Sequence, residues 1–118
     1  FMNVHEGPQN IRKDMNFQEL IPGMVVSNEP GFYWENHYGI RHENLIAVKE
    51  TATTEFGTFY EFETLTICPF DRKVIATELL TQPEKEWLNS YHEWCRQKLE
   101  NDLEGEVKEW FLEQVEPL

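Results

Sequence analysis

The stretch Met24-Val25-Val26-Ser27-Asn28-Glu29-Pro30-Gly31-Phe32-Tyr33, continued by Gly39-Ile40-Arg41-His42-Glu43-Asn44, decides the reading of this chain. Apolar and β-branched residues lead into turn formers at Glu35-Asn36-His37, and a second apolar run closes with Leu45-Ile46-Ala47-Val48. That order predicts two antiparallel strands joined by a short turn. If the turn centres on Asn36, Glu29 lies across the hairpin from Glu43. Opposed side chains in such a pair stand roughly 5 Å apart at Cβ, so two carboxylates there repel unless they share a proton or a cation. Arg41 is two residues before Glu43, hence on the same strand face, and its guanidinium is suited to orienting a carboxylate. The alternative is a pair of ordinary surface glutamates on a solvated hairpin.

Outward from the hairpin, Leu20-Ile21-Pro22-Gly23 is a turn that feeds the Met24 strand, and residues 11–18 read as a loop. Phe1-Met2-Asn3-Val4-His5 reads as a strand end before the Gly7-Pro8 turn. His5 therefore stands where catalytic histidines are often carried, although a hydrogen-bonded structural histidine fits as well; Glu6 reads as solvated or structural. Thr51–Gly57 reads as a polar connector. Thr58 to Cys68 is rich in aromatic and β-branched residues and reads as a third strand ended by Pro69, with a short strand at Val74-Ile75 after the Asp71-Arg72-Lys73 turn. Thr81-Gln82-Pro83-Glu84 carries a capping box with proline in the first turn. Leu88, Tyr91, Cys95, Leu99 and Leu103 follow at helical spacing, and after Gly105 a shorter helix carries Val107, Trp110, Phe111 and Val115. The tryptophans Trp87, Trp94 and Trp110 read as packing rather than as a ligand box. The class is α+β: a curved antiparallel sheet, then C-terminal helices, with residues 1–80 divided from a helical extension at 81–118.

The 118 residues carry 22 acidic and 10 basic side chains, a formal charge of −12. Without a basic patch, such a chain is not expected to bind nucleic acid. Cys68 and Cys95 are too few for a disulfide scaffold, which fits a reducing compartment, and no apolar run reaches membrane-spanning length. No signal peptide is visible. The chain opens at Phe1 with a strand-like run and is read as a cut from within a longer protein.

Several of these motifs occur together in one family. Val4-His5-Glu6-Gly7-Pro8, Pro22-Gly23-Met24, Asn28-Glu29-Pro30-Gly31-Phe32-Tyr33 and Gly39-Ile40-Arg41-His42-Glu43-Asn44 resemble the C-terminal half of the catalytic domain of Xaa-Pro aminopeptidases. Phe62-Glu63-Thr64-Leu65-Thr66, Asp71-Arg72-Lys73, Leu79-Leu80-Thr81 and Trp87-Leu88-Asn89-Ser90-Tyr91-His92 extend the resemblance over nearly the whole chain, toward the large cytosolic eukaryotic type. The resemblance implies a pita-bread fold with two divalent metal ions, usually manganese, and peptide substrates with proline second. It implies that Glu29 is a metal ligand that also handles protons, that Glu43 bridges the metals, and that His5 contacts substrate and assists proton transfer. Arg41 and Tyr33 are expected to fix the carboxylates.

The family's histidine ligand and both its aspartates lie upstream of Phe1, so two of five ligands are present and a metal held by them alone is expected to bind weakly. The 118-residue chain by itself is accordingly expected to be inactive and to self-associate, with a homodimer as the assembly. His42 stands where the family pattern usually has Ile and reads as a packing or surface change. A rival reading is a catalytically dead pita-bread domain used for protein binding or assembly; retention of Glu29, Glu43 and His5 argues against it.

Overall fold

The computed structural model describes residues 7–118, which form two compact units, one ending at Thr66 and the other running Ile67–Leu118. His5 and Glu6 lie outside the described residues. The first unit contains β1 (Val25–Asn28), β2 (Gly31–Trp34), β3 (Tyr38–Arg41), β4 (Asn44–Thr54) and β5 (Gly57–Thr64). In place of a single three-stranded meander there are two antiparallel sheets, one of order β1-β4-β5 and one of β2-β3. Pro30 falls at the break between them. It has no N–H to give a ladder, and its carbonyl instead accepts the His42 N–H at 3.1 Å.

The break leaves the register intact. Asn28 opposes Asn44 in one sheet and Gly31 opposes Arg41 in the other, and both pairings extrapolate to Glu29 opposite Glu43. The turn centres on Asn36, whose φ of 61° lies in the left-handed region that asparagine tolerates. The core of this unit is Val26, Ile46 and Val48, with Asn44 also buried; the last three alternate along β4 as a half-buried strand requires. β4 runs on through Thr54, so Thr51–Thr54 are strand, not connector, and the turn to β5 falls at Glu55-Phe56. A bulge at Thr51 shifts the register of that hairpin. β5 ends at Thr64, short of Cys68, although Leu65 still donates to the Leu45 carbonyl and Leu45 to Thr66 Oγ1.

The second unit is built on α1 (Gln82–Leu99) and α2 (Gly105–Gln114). Thr81 and Glu84 form the expected box: the Thr81 N–H and hydroxyl both donate to Glu84 Oε2, at 2.8 and 2.7 Å. Those hydrogen bonds hold the Glu84 carboxyl below its ordinary range. Leu88, Tyr91, Cys95, Phe111 and Val115 make the core, with Phe70, Ile75 and Leu80 packed against it. Residues 67–80 thus pack with the helices, in the compact unit that begins at Ile67. Val74-Ile75 is not a strand. Arg72–Val74 is a single 3-10 turn capped by Asp71, whose carboxylate accepts the Lys73 N–H at 2.9 Å.

Two buried polar groups organise this core. His92, fully buried, accepts the Phe70 N–H on Nε2 at 3.1 Å, and burial with the nearby Arg72 charge pushes its pKa down. Tyr91 donates its hydroxyl to the Cys68 carbonyl at 2.8 Å, and burial pushes it up to about 12. Burial likewise raises the Cys95 thiol. No described helix is long and apolar enough to cross a membrane.

Candidate active site

Alternation from the shared register puts Ser27, Glu29, Gly31 and Tyr33 on one face with Gly39, Arg41 and Glu43 across from them. The side chains meet accordingly. Arg41 Nη1 stands 3.3 Å from Glu29 Oε2, and Arg41 Nε 3.5 Å from Glu43 Oε2. One guanidinium therefore reaches both carboxylates, which is the shared cation that the opposed pair requires. The three groups are only part-shielded, between a third and a half exposed, so the pairing orients more than it stabilises.

A further contact was not expected from the sequence. The Ser27 hydroxyl donates to Glu29 Oε1 at 2.8 Å, so the two oxygens of Glu29 have different partners. The signal was its position two residues before Glu29, on the same strand face. Tyr33 lies over the two glycines beside it. A methyl group on Gly31 would stand 2.8 Å from the Tyr33 hydroxyl, and one on Gly39 2.7 Å from its Cδ1. Glycine at both positions makes room for the ring. The opposite face of the hairpin carries Phe32, Trp34, Tyr38 and Ile40, all about half exposed. Phe32 and Trp34 each approach Tyr38, at ring-centroid distances of 6.1 and 5.9 Å. His42 is half-buried at the break.

Two carboxylates are hard oxygen donors, the ligand type preferred by Mg²⁺ and Mn²⁺. Among the described residues no group of three or more His, Cys, Asp or Glu side chains gathers to hold a metal ion. Glu29 and Glu43 thus fit a divalent ion by donor type and convergence, as part of a larger ligand set.

Residues 2–50 match the model of metallopeptidase family M24, and residues 58–118 match the C-terminal region of peptidase M24. The chain belongs to metallopeptidase family M24. Among M24 relatives, a probable Xaa-Pro aminopeptidase P of Coprinopsis cinerea is 44% identical over 125 residues, covering 100% of this chain and 20% of its own length. Aminopeptidase P2 of Arabidopsis thaliana is 43% identical, covering 99% of this chain and 17% of its own length. The crystal structure of an X-prolyl aminopeptidase from Caenorhabditis elegans, described as a cytosolic enzyme with a di-nuclear active site, superposes with a TM-score of 0.81. It is 34% identical and covers 98% of this chain and 20% of that one. The chain therefore spans about a fifth of the length of these relatives. The α+β expectation holds: antiparallel sheets followed by two helices form the C-terminal part of a pita-bread M24 fold.

Proposed function

We propose that the protein carrying this chain is a dinuclear metal-dependent Xaa-Pro aminopeptidase, which removes the N-terminal residue of peptides with proline second. The observation that carries the reading is the opposition of Glu29 and Glu43 across one register with Arg41 reaching both, in a family M24 chain whose relatives bear that name. Glu29 and Glu43 would hold the ions. When bound, the ions supply Lewis acidity and an activated water. Arg41 fixes both carboxylates, and Ser27 fixes the second oxygen of Glu29. Tyr33 lies on the same hairpin face as Arg41, over Gly31 and Gly39. His5 hydrogen-bonds the reacting groups, and the Glu29 carboxylate moves a proton between them.

The finer points rest on narrower support. Carboxylate donors are compatible with manganese, as they are with magnesium. The exposed aromatic face of β2 and β3 supports a homodimer. The cytosolic C. elegans neighbour supports a cytoplasmic enzyme. The start of α1 at Gln82 supports reading 81–118 as a helical extension of the catalytic domain. The 118-residue chain alone is inactive on this reading, because its described residues contribute two carboxylates to the ligand set.

The test is cleavage of alanyl-prolyl peptides by the full-length protein loaded with manganese, with metal content measured alongside. Robust turnover by wild type and none by Glu43→Ala supports the reading. A metal-loaded wild type that leaves Xaa-Pro bonds intact overturns it.

A further inference from the structure

Ser27 and Glu29 differ in how firmly the backbone holds them. Ser27 lies inside the β1–β4 ladder, opposite Leu45 and next to the buried Val26. Leu45 is held from its other side as well, since its carbonyl accepts the Leu65 N–H and its own N–H donates to Thr66 Oγ1. Glu29 lies one residue past the last pair of that ladder, and Pro30 follows without an N–H. Residues two apart on a strand are separated by about 7 Å. The 2.8 Å bond from the Ser27 hydroxyl to Glu29 Oε1 therefore means that the glutamate leans back along its own strand. Arg41, opposite Gly31, lies two positions the other way, and its Nη1 meets Oε2 at 3.3 Å. The carboxylate is thus held between a short hydroxyl on a fixed backbone and a long, half-exposed guanidinium.

We propose that Ser27 is a positioning residue: its hydroxyl restrains Glu29 from closing onto Arg41 as a bidentate ion pair, and so keeps that carboxylate available, with Glu43, to a divalent ion. The inference rests on the metallopeptidase reading, in which Glu29 and Glu43 hold the ions. Competition between partners is the physical reason. A guanidinium and a carboxylate pair most strongly fork to fork, through two parallel N–H···O bonds. Oxygens engaged in that way are withdrawn from a metal ion. Arg41 already reaches Oε2, so release of Oε1 is the one change that the closed pair needs. A hydroxyl suits the restraint better than a second cation would. It donates one directed hydrogen bond and adds no charge to repel the ion.

The experiment uses the full-length protein, stripped of metal and titrated with manganese by calorimetry, with cleavage of alanyl-prolyl-alanine followed in parallel. Ser27→Val is expected to weaken manganese binding by about 10–100-fold, the usual cost of losing a group that orients a metal ligand, and to lower kcat more than it changes KM. Ser27→Thr has the shape of the valine variant and keeps the hydroxyl, so it is expected to restore most of the affinity. In the Arg41→Gln background the competing partner is gone, and the Ser27→Val loss is expected to shrink to about twofold or less, the scatter of independent sites. If Xaa-Pro bonds stay intact but manganese affinity follows this pattern, the role of Ser27 stands and the aminopeptidase reading falls. If wild type cleaves the peptide but Ser27→Val binds manganese as wild type does, the role of Ser27 alone is overturned. Equal losses in the Thr and Val variants, or a Ser27→Val loss as large in the Arg41→Gln background as in wild type, overturn it too. Absence of manganese binding by wild type overturns both.

Discussion

Glu29 and Glu43 occupy the gap in an otherwise continuous register, one pair beyond Asn28 opposite Asn44 and two pairs before Gly31 opposite Arg41. The carboxylates stand beside the break, where the His42 N–H still donates to the Pro30 carbonyl, and Arg41 reaches both of them at 3.3 and 3.5 Å.

The position of Arg41 predicts a positioning effect in the full-length enzyme. Arg41→Gln is expected to lower activity or metal affinity by about 10–100-fold, the usual cost of losing a group that orients metal ligands. Arg41→Lys restores only part of it, since a compact ammonium cannot address two carboxylates along one planar fork. Steady-state kinetics with metal titration checks this. An Arg41→Gln enzyme with unchanged kcat/KM and metal affinity would remove the residue from the site.

The roles proposed for Glu43 and His5 separate by metal content. Glu43→Ala is expected to lose turnover together with bound metal. His5→Ala is expected to slow turnover while metal persists. Elemental analysis of purified variants decides between them, and metal loss in the His5 variant would reassign that residue as a ligand.

His92 gives the helical unit a pH dependence. Its pKa is depressed in the fold by burial and by Arg72, so the folded form holds it neutral, with Nε2 accepting from Phe70. Above the ordinary histidine value near 6.5 both folded and unfolded chains are neutral there, and the full stability is present. Below it the unfolded chain takes up a proton that the folded chain resists, so stability falls as pH drops through that value. Denaturant midpoints at pH 7.5 and 5.5, followed by tryptophan fluorescence, are expected to diverge in wild type and to diverge less in His92→Gln. Equal pH sensitivity in the two proteins would contradict the assignment.

The 118-residue chain expressed alone is expected to show no Xaa-Pro cleavage even with excess manganese, because each ion wants about six ligands and two carboxylates supply at most four oxygens. It is also expected to self-associate through the exposed Phe32, Trp34, Tyr38 and Ile40 face. Sedimentation and a cleavage assay on the purified chain test both halves; turnover, or a monomer at high concentration, counts against the corresponding half.

The candidate site was legible because its information is local. Asn36 tolerates a left-handed backbone, which centred the turn, and a two-residue period then fixed which side chains share a face. The division into two sheets was less visible, although Pro30 marked it, because hairpin patterning carries through a missing ladder bond. Thr51–Thr54 escaped notice for another reason. Both faces of the outer β4–β5 hairpin are exposed, so no alternation of apolar and polar residues marks them as strand. Val74-Ile75 has the composition of a strand, but the Asp71 cap commits the backbone to a 3-10 turn, and Ile75 is used to pack on the helices. Spacing placed Ser27 on the face of Glu29, but that its hydroxyl bonds the carboxylate depends on side-chain rotamers.

Tyr33, Gly31 and Gly39 interlock: in its present position the ring occupies the volume that a β-carbon on either glycine would need. As a matter of descent, the three positions form one heritable unit. A lineage that replaces either glycine must also move or shrink the Tyr33 ring. Drift at this corner of the hairpin therefore proceeds by paired exchange, and a homologue with a bulky residue at either glycine position should carry a small one in place of Tyr33.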